Sequence, residues 1–213
     1  MLINCKKSKT IIFNFTENFQ FTTRLKIKEE NLEIVNSTKL LGTVITNDLK
    51  WDKNTAEITR KANARMQLLR KAASFSPPAE DLKDIYVLFI RSILEQSATV
   101  WHSSLTEENS DDLERIQKSA MKIILADKYQ GYQQALARLG LDTLKSRREK
   151  LCLIFAKKCV QNQKLKHMFP ENINLHNMKH RKTEKYQVQF ANTGRLQKSP
   201  IVYMQKLLNQ DNL

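Results

Sequence analysis

At Asp52 the spacing of the apolar residues changes, and that change restricts the chain to one broad architecture. Before it, Leu25 and Ile27 alternate with Arg24, Lys26 and Lys28, the period-two pattern of a half-buried strand. Beyond it, apolar residues recur three and four positions apart, the pattern of a helix with one buried side. The chain holds only 4 Gly and 4 Pro, too few for a fold built of many tight turns. The expectation is a mainly α protein with a small N-terminal antiparallel β region: about five bundled helices beside a hairpin.

Three segments follow. Residues 1–50 carry the strands: Thr10-Ile11-Ile12-Phe13-Asn14-Phe15, Leu25 and Ile27, a return through Leu32 and Ile34, and Leu40 to Ile45. So few strands need a helical cover to be stable. Residues 51–163 carry the helices. Asp52 is placed to cap a helix over 53–74, with Ile58, Ala62, Arg65 or Met66, Leu69 and Ala73 inward. Ser76-Pro77-Pro78 stops it and starts the next, which holds Leu82 to Leu94 and runs to Trp101. Thr106 caps a helix with Leu113, Ile116, Ala120, Ile123 and Ile124 inward. Tyr129 to Leu139 form a shorter one, ended by Gly140. Asp142 opens another with Leu144, Leu151, Ile154, Phe155 and Cys159 inward. Residues 164–213 read as a basic, weakly structured segment, with a short strand at 186–190 and a last helix from Pro200 to Leu208.

The formal net charge is +14, spread along all segments. Such an excess points to a polyanion, because Lys and Arg gain affinity by displacing phosphate counterions. An anionic membrane surface competes, but no helix carries the aromatic-rich apolar stripe it needs. Many basic proteins bind neither. With three cysteines, no apolar run of membrane-spanning length and no leader-like start, the expectation is a soluble intracellular protein of nucleus or cytoplasm.

Asn4-Cys5-Lys6-Lys7-Ser8, then Leu40-Leu41-Gly42, then Leu49-Lys50-Trp51 come in an order that resembles non-LTR retrotransposon (LINE-type) reverse transcriptases, especially their Jockey and chicken-repeat-like branches. Asn4-Cys5-Lys6-Lys7-Ser8 is similar to the strand element that follows the catalytic loop of the palm. Leu40-Leu41-Gly42 is similar to the primer-grip turn, with Leu for the usual aromatic. Leu49-Lys50-Trp51, Ile85-Tyr86, Ile90-Arg91, Leu94-Glu95, Val100-Trp101, Leu113 to Lys118 and Leu139 to Leu144 continue it. Arg147-Arg148, Thr193-Gly194-Arg195, Ser199-Pro200-Ile201 and Leu207-Leu208-Asn209 complete the likeness, which covers nearly the whole chain.

The resemblance implies a palm remnant, a primer grip, a thumb and a C-terminal helical region that hold an RNA/DNA template–primer duplex. It places the family's catalytic carboxylates, which hold two divalent ions, before position 1, so the chain reads as truncated and not an enzyme on its own. Asp111-Asp112 is no substitute. It sits among Glu107, Glu108 and Glu114 in a first helical turn, where the helix dipole favours acids. Lys7 would be the palm lysine that assists pyrophosphate departure, with Lys6 and Lys9 adjacent to it; read from the residues alone, it is a solvated basic strand end. Asn4, Leu41 and Gly42 would touch the primer side, or Gly42 is an ordinary hairpin glycine. Arg60, Lys61, Arg65, Arg70 and Lys71 would face away from Ile58, Ala62 and Leu69 and run along phosphates. A solvated face with pairs such as Glu57 and Lys61 is the alternative. Arg147 and Arg148 are further phosphate candidates.

Trp51 and Trp101 suit either base stacking or the core. Cys152, Cys159, His176 and His180 do not show a chelating spacing, so no zinc or other cofactor is expected. His102-Ser103 has no orienting acid, so no nucleophilic centre is expected either. The alternative to nucleic-acid binding is a helical protein-interaction module without enzymatic activity.

Overall fold

The computed structural model describes residues 4, 8–15, 24–27, 29–172 and 184–211. Lys7, His176 and His180 lie outside them. The protein is mainly helical with a small N-terminal β region. Short strands β1 (Lys9–Thr10) and β4 (Glu33–Ile34) pair in parallel, while β2 (Lys26–Ile27) and β3 (Glu30–Asn31) form an antiparallel hairpin. The expected strand through Phe15 stops at Thr10, and one of the pairings is parallel. The longest pair is β5 (Ser37–Leu40) with β6 (Thr43–Thr46), antiparallel, Leu40 opposite Thr43.

Helix α1 spans Asp52–Ala73 and buries Ile58, Ala62, Met66 and Leu69. Its cap is Trp51, which has no capping side chain. Asp52 does not cap, contrary to expectation. It lies inside the first turn, where its carboxylate accepts a 2.7 Å hydrogen bond from Asn109 Nδ2. The second helical run is α2 (Ala79–Ile85), a π-helical stretch over Tyr86–Arg91, then α3 (Ser92–Leu94). The wider π turn keeps Tyr86, Ile90 and Leu94, four apart, buried together. The run does not reach Trp101. Ser97 turns left-handed at φ 54 and α4 (Ala98–Trp101) starts anew. That break lets Trp101 Nε1 donate to the Gln96 carbonyl at 3.0 Å.

Helix α5 (Glu107–Leu125) is capped by Thr106, whose hydroxyl accepts from the Asn109 amide. Helix α6 (Tyr132–Leu139) ends at Gly140, left-handed at φ 61. Helix α7 (Leu144–Gln161) is capped by Thr143, not Asp142. Helix α8 (Gly194–Gln197) is one turn, and α9 (Pro200–Asp211) is the last helix. Among the described residues no helix is long and apolar enough to cross a membrane.

Two apolar clusters hold these elements. The larger runs from Trp51 to Leu144 and centres on Leu69, Ile90, Leu94, Trp101 and Leu113. The smaller joins Cys152, Ala156 and Cys159 of α7 to Phe169, Tyr186, Met204 and Leu208. It therefore spans both sides of the boundary expected at residue 163, and α9 packs on α7. The expected strand at 186–190 is reduced to a single bridge between Glu171 and Tyr186. Within α7 the inward residues are Leu144, Arg148, Cys152, Ala156 and Cys159. Ile154 and Phe155 were expected there and instead stand 50% and 41% exposed.

Candidate nucleic-acid interface

The β5–β6 hairpin closes through two residues, Leu41 and Gly42, with φ of 48° and 89°. A two-residue turn whose twist matches that of its strands needs positive φ at both positions. Gly42 meets this freely. Leu41 does so at roughly 1–2 kcal/mol of backbone cost, and its side chain is 90% exposed. The apolar run Leu40 to Ile45 thus reverses in its middle. A Cβ at Gly42 would come within 2.4 Å of Gln96 Nε2, so the turn rests against the α3–α4 junction. The hairpin is also pinned to α1, because the Val44 amide donates to Asn54 Oδ1 at 3.0 Å.

Beside this hairpin a single carboxylate gathers three cations. Glu57 accepts from Arg60 Nε at 2.9 Å and Nη2 at 3.2 Å. Lys61 Nζ is 3.4 Å away and Lys39 Nζ, from β5, 3.7 Å. The hydrogen bond from Arg60, opposed by partial desolvation, holds the Glu57 carboxyl down at about 2. The same bond raises the Arg60 guanidinium. Arg60 and Lys61 are therefore tethered, and the Glu57–Lys61 pair that the sequence offered as the alternative is present. Three positive charges against one negative still leave the junction with a local excess of positive charge, held in place.

Arg65, Arg70 and Lys71 are exposed, and none has an acid at ion-pair distance among the described residues. Contrary to expectation, not all of them share one side of α1 with Arg60: Lys71 does, Arg65 does not. At 3.6 residues per turn, Lys53, Arg60 and Lys71 follow one line, with Lys61 roughly 100° to one side of Arg60. Arg70 lies roughly 80° from Arg60 on the other side, and Arg65 roughly 140° around the axis from Arg60.

The other arginine candidates are corrected by the structure. Arg147 makes two hydrogen bonds to Glu95, at 2.7 and 3.1 Å, which raise its pKa. Glu95 also takes Arg91 at 3.6 Å. Arg148 is wholly buried. Its Nη2 donates to Ser110 Oγ at 2.9 Å and its Nε to His102 Nδ1 at 3.3 Å. Its guanidinium lies 5.9 Å from the Trp101 ring centre. The cause is the phase of α7: position 148 falls on the line of Leu144 and Cys152, and 147 at its edge. Trp51 and Trp101 are core residues. Asn4 is exposed, and its carbonyl accepts from Ser8 Oγ at 3.0 Å.

Burial, then the nearby Arg148 and Lys145 charges, hold the His102 imidazole down at about 4. Its other nitrogen faces the Tyr203 hydroxyl of α9 at 3.4 Å. A histidine depressed on folding contributes stability that is complete above its unfolded value, near 6.5. That contribution fades as pH falls from about 6.5 towards about 4. At full burial the loss would be roughly 3 kcal/mol, and partial exposure of the ring reduces it to about 2. Melting temperatures across this window are expected to fall less in His102→Gln than in the native protein.

Asp111 and Asp112 sit on α5, and Asp112 is paired with Arg115 at 2.8 Å, so they do not fit a two-ion carboxylate set. Burial pushes the Cys152 thiol up to about 11 and raises Cys159 also. Sequence patterns missed Lys39 and Gln96 at the hairpin, which only the register of β5 and the break after α3 bring there. They also missed Gln117, a polar residue inside the stripe of Leu113, Ile116 and Ala120. Comparison with known family models, with curated proteins and with solved structures finds no match.

Proposed function

We propose that this chain holds a template–primer duplex, in the manner of the primer grip and thumb of a non-LTR (LINE-type) reverse transcriptase, and does not itself polymerise. One observation carries the proposal. An apolar, left-handed hairpin tip stands 90% exposed beside a fixed cluster of three cations around one carboxylate. The turn requires positive φ at Leu41 but not an exposed leucine there, and strain of this kind concentrates where a ligand is clamped. Lys53, Arg60 and Lys71 extend the positive line along α1, which suits phosphates without reading bases.

Binding of an RNA–DNA hybrid is expected to fall steeply between low and moderate salt, with log affinity linear in log salt. Absent or salt-insensitive binding would overturn the proposal. Leu41→Asn supplies the second check. Asn adopts the left-handed turn more readily, so the melting temperature should rise slightly, by roughly 1 kcal/mol of stability. Hybrid affinity should fall at the same time. A variant that is more stable and binds equally well removes the tip from the interface.

A second reading is a helical protein-interaction module. Leu88 and Phe89 on the π stretch and Ile154 and Phe155 on α7 are exposed apolar residues that no fold requirement explains. Salt-insensitive hybrid binding would favour it.

A further inference from the structure

The most suggestive cavity lies away from α1. Between the turn at Lys166–Met168, the extended segment 187–190 and α9 is an open pocket of about 350 Å³. His167, Gln187, Gln189, Phe190, Ile201 and Gln205 line it. Its floor is rigid, because Gln205 uses both ends of its amide: Oε1 accepts from the Gln189 amide at 2.8 Å and Nε2 donates to the Met168 carbonyl at 2.9 Å. Its wall is the Phe190 ring, 84% exposed. The side chains of Gln187, Gln189 and His167 have no hydrogen-bond partner among the described residues.

We propose that this pocket takes one unpaired base of a single-stranded nucleic acid, stacked on Phe190 and held at its edge by Gln187, Gln189 and His167. The components match that ligand. A base offers a π face to an exposed ring, and its edge offers donors and acceptors together, as an amide does. No carboxylate lines the pocket. Lys166 precedes His167, and Lys185 lies two residues before Gln187, its ammonium 5.4 Å over the Tyr186 ring. Residues 164–213 hold nine basic and three acidic residues, a segment excess that favours a phosphate backbone as partner. A peptide occupant would find the same ring but no reason for the surrounding positive charge. The site does not depend on the duplex proposal, since a strand without a partner binds here whether or not a hybrid binds α1.

The test is fluorescence anisotropy of the full chain with a fluorescein-labelled octa-uridylate, and with an abasic strand of the same length. Phe190→Ala should weaken the base-bearing strand about tenfold. The abasic strand should bind native and variant alike, and Phe190→Trp should restore affinity. The ring is exposed, so Phe190→Ala keeps its fold, which a melting curve verifies. Gln187→Ala with Gln189→Ala should lower affinity while leaving the abasic strand unchanged. Equal binding of octa-uridylate by native and Phe190→Ala protein overturns the proposal. So does an equal loss in the alanine and tryptophan variants, or no binding at all. Hybrid binding, measured alongside, reports the α1 surface separately.

Discussion

Replacing Gln117 by Leu is expected to lower the unfolding free energy by about 3 kcal/mol. Gln117 is wholly buried at the centre of the larger core. Its Oε1 accepts from the Tyr86 hydroxyl on the π stretch. Its Nε2 donates to the Tyr132 hydroxyl at 2.8 Å and to the Asp142 carbonyl at 2.9 Å. Leucine has a similar volume, so the cost is not a cavity. It is the stranding of the wholly buried Tyr86 hydroxyl, at roughly 1–3 kcal/mol, together with the lost bonds to the Tyr132 hydroxyl and the Asp142 carbonyl, at roughly 0.5–1.5 kcal/mol each. Tyr132 keeps its bond to Glu114, whose carboxylate also accepts from the Leu144 amide at 3.1 Å. For a chain of this size the melting temperature should drop by about 6–12 °C. Tyr86→Phe combined with Gln117→Leu should cost less than the two single changes added, because both ends of one bond are then removed. Strict additivity would show that the Tyr86 bond contributes nothing.

The triple variant Arg60→Ala, Lys61→Ala, Arg65→Ala should flatten the salt dependence of hybrid binding. Each phosphate contact contributes about 0.9 to the slope of log affinity against log salt, so three lost contacts should reduce it by about 2–3. Affinity at low salt should fall by more than tenfold in consequence. Glu57→Gln works in the opposite direction. It removes the one acid that pairs with Lys39, Arg60 and Lys61 among the described residues and should strengthen binding. Arg70→Ala, roughly 80° around α1 from Arg60 on the side away from Lys61, should change the slope less than Arg60→Ala. Arg147→Ala should leave binding unaltered and reduce stability, since that guanidinium is already committed to Glu95. An unchanged slope in the triple variant would remove α1 from the interface.

Most of the helical plan was legible, and the reasons are local. Pro77-Pro78, Thr106 and Gly140 punctuate the chain through rules that depend on a few neighbouring residues. The inward side of α1 followed from its own period. The interface was less legible. Arg60, Lys61, Arg147 and Arg148 are four basic residues of similar appearance in the sequence. Two share an acid with Lys39, one is clamped by Glu95 and one lies in the interior. A basic side chain carries no local mark of these fates, because its long stem reaches acids on other elements.

Composition and period were therefore enough for a mainly α chain with a small β start, the breaks at Pro77-Pro78 and Gly140, the Thr106 cap and the excess of positive charge. Packing alone settled which cations remain available, that the apolar run at Leu40–Ile45 folds back at Leu41-Gly42, and that Gln117 joins two tyrosines. The division has a physical basis. Backbone preferences and caps act within about one turn of the chain, whereas a charge is neutralised, buried or left free by whatever tertiary folding brings within a few ångströms.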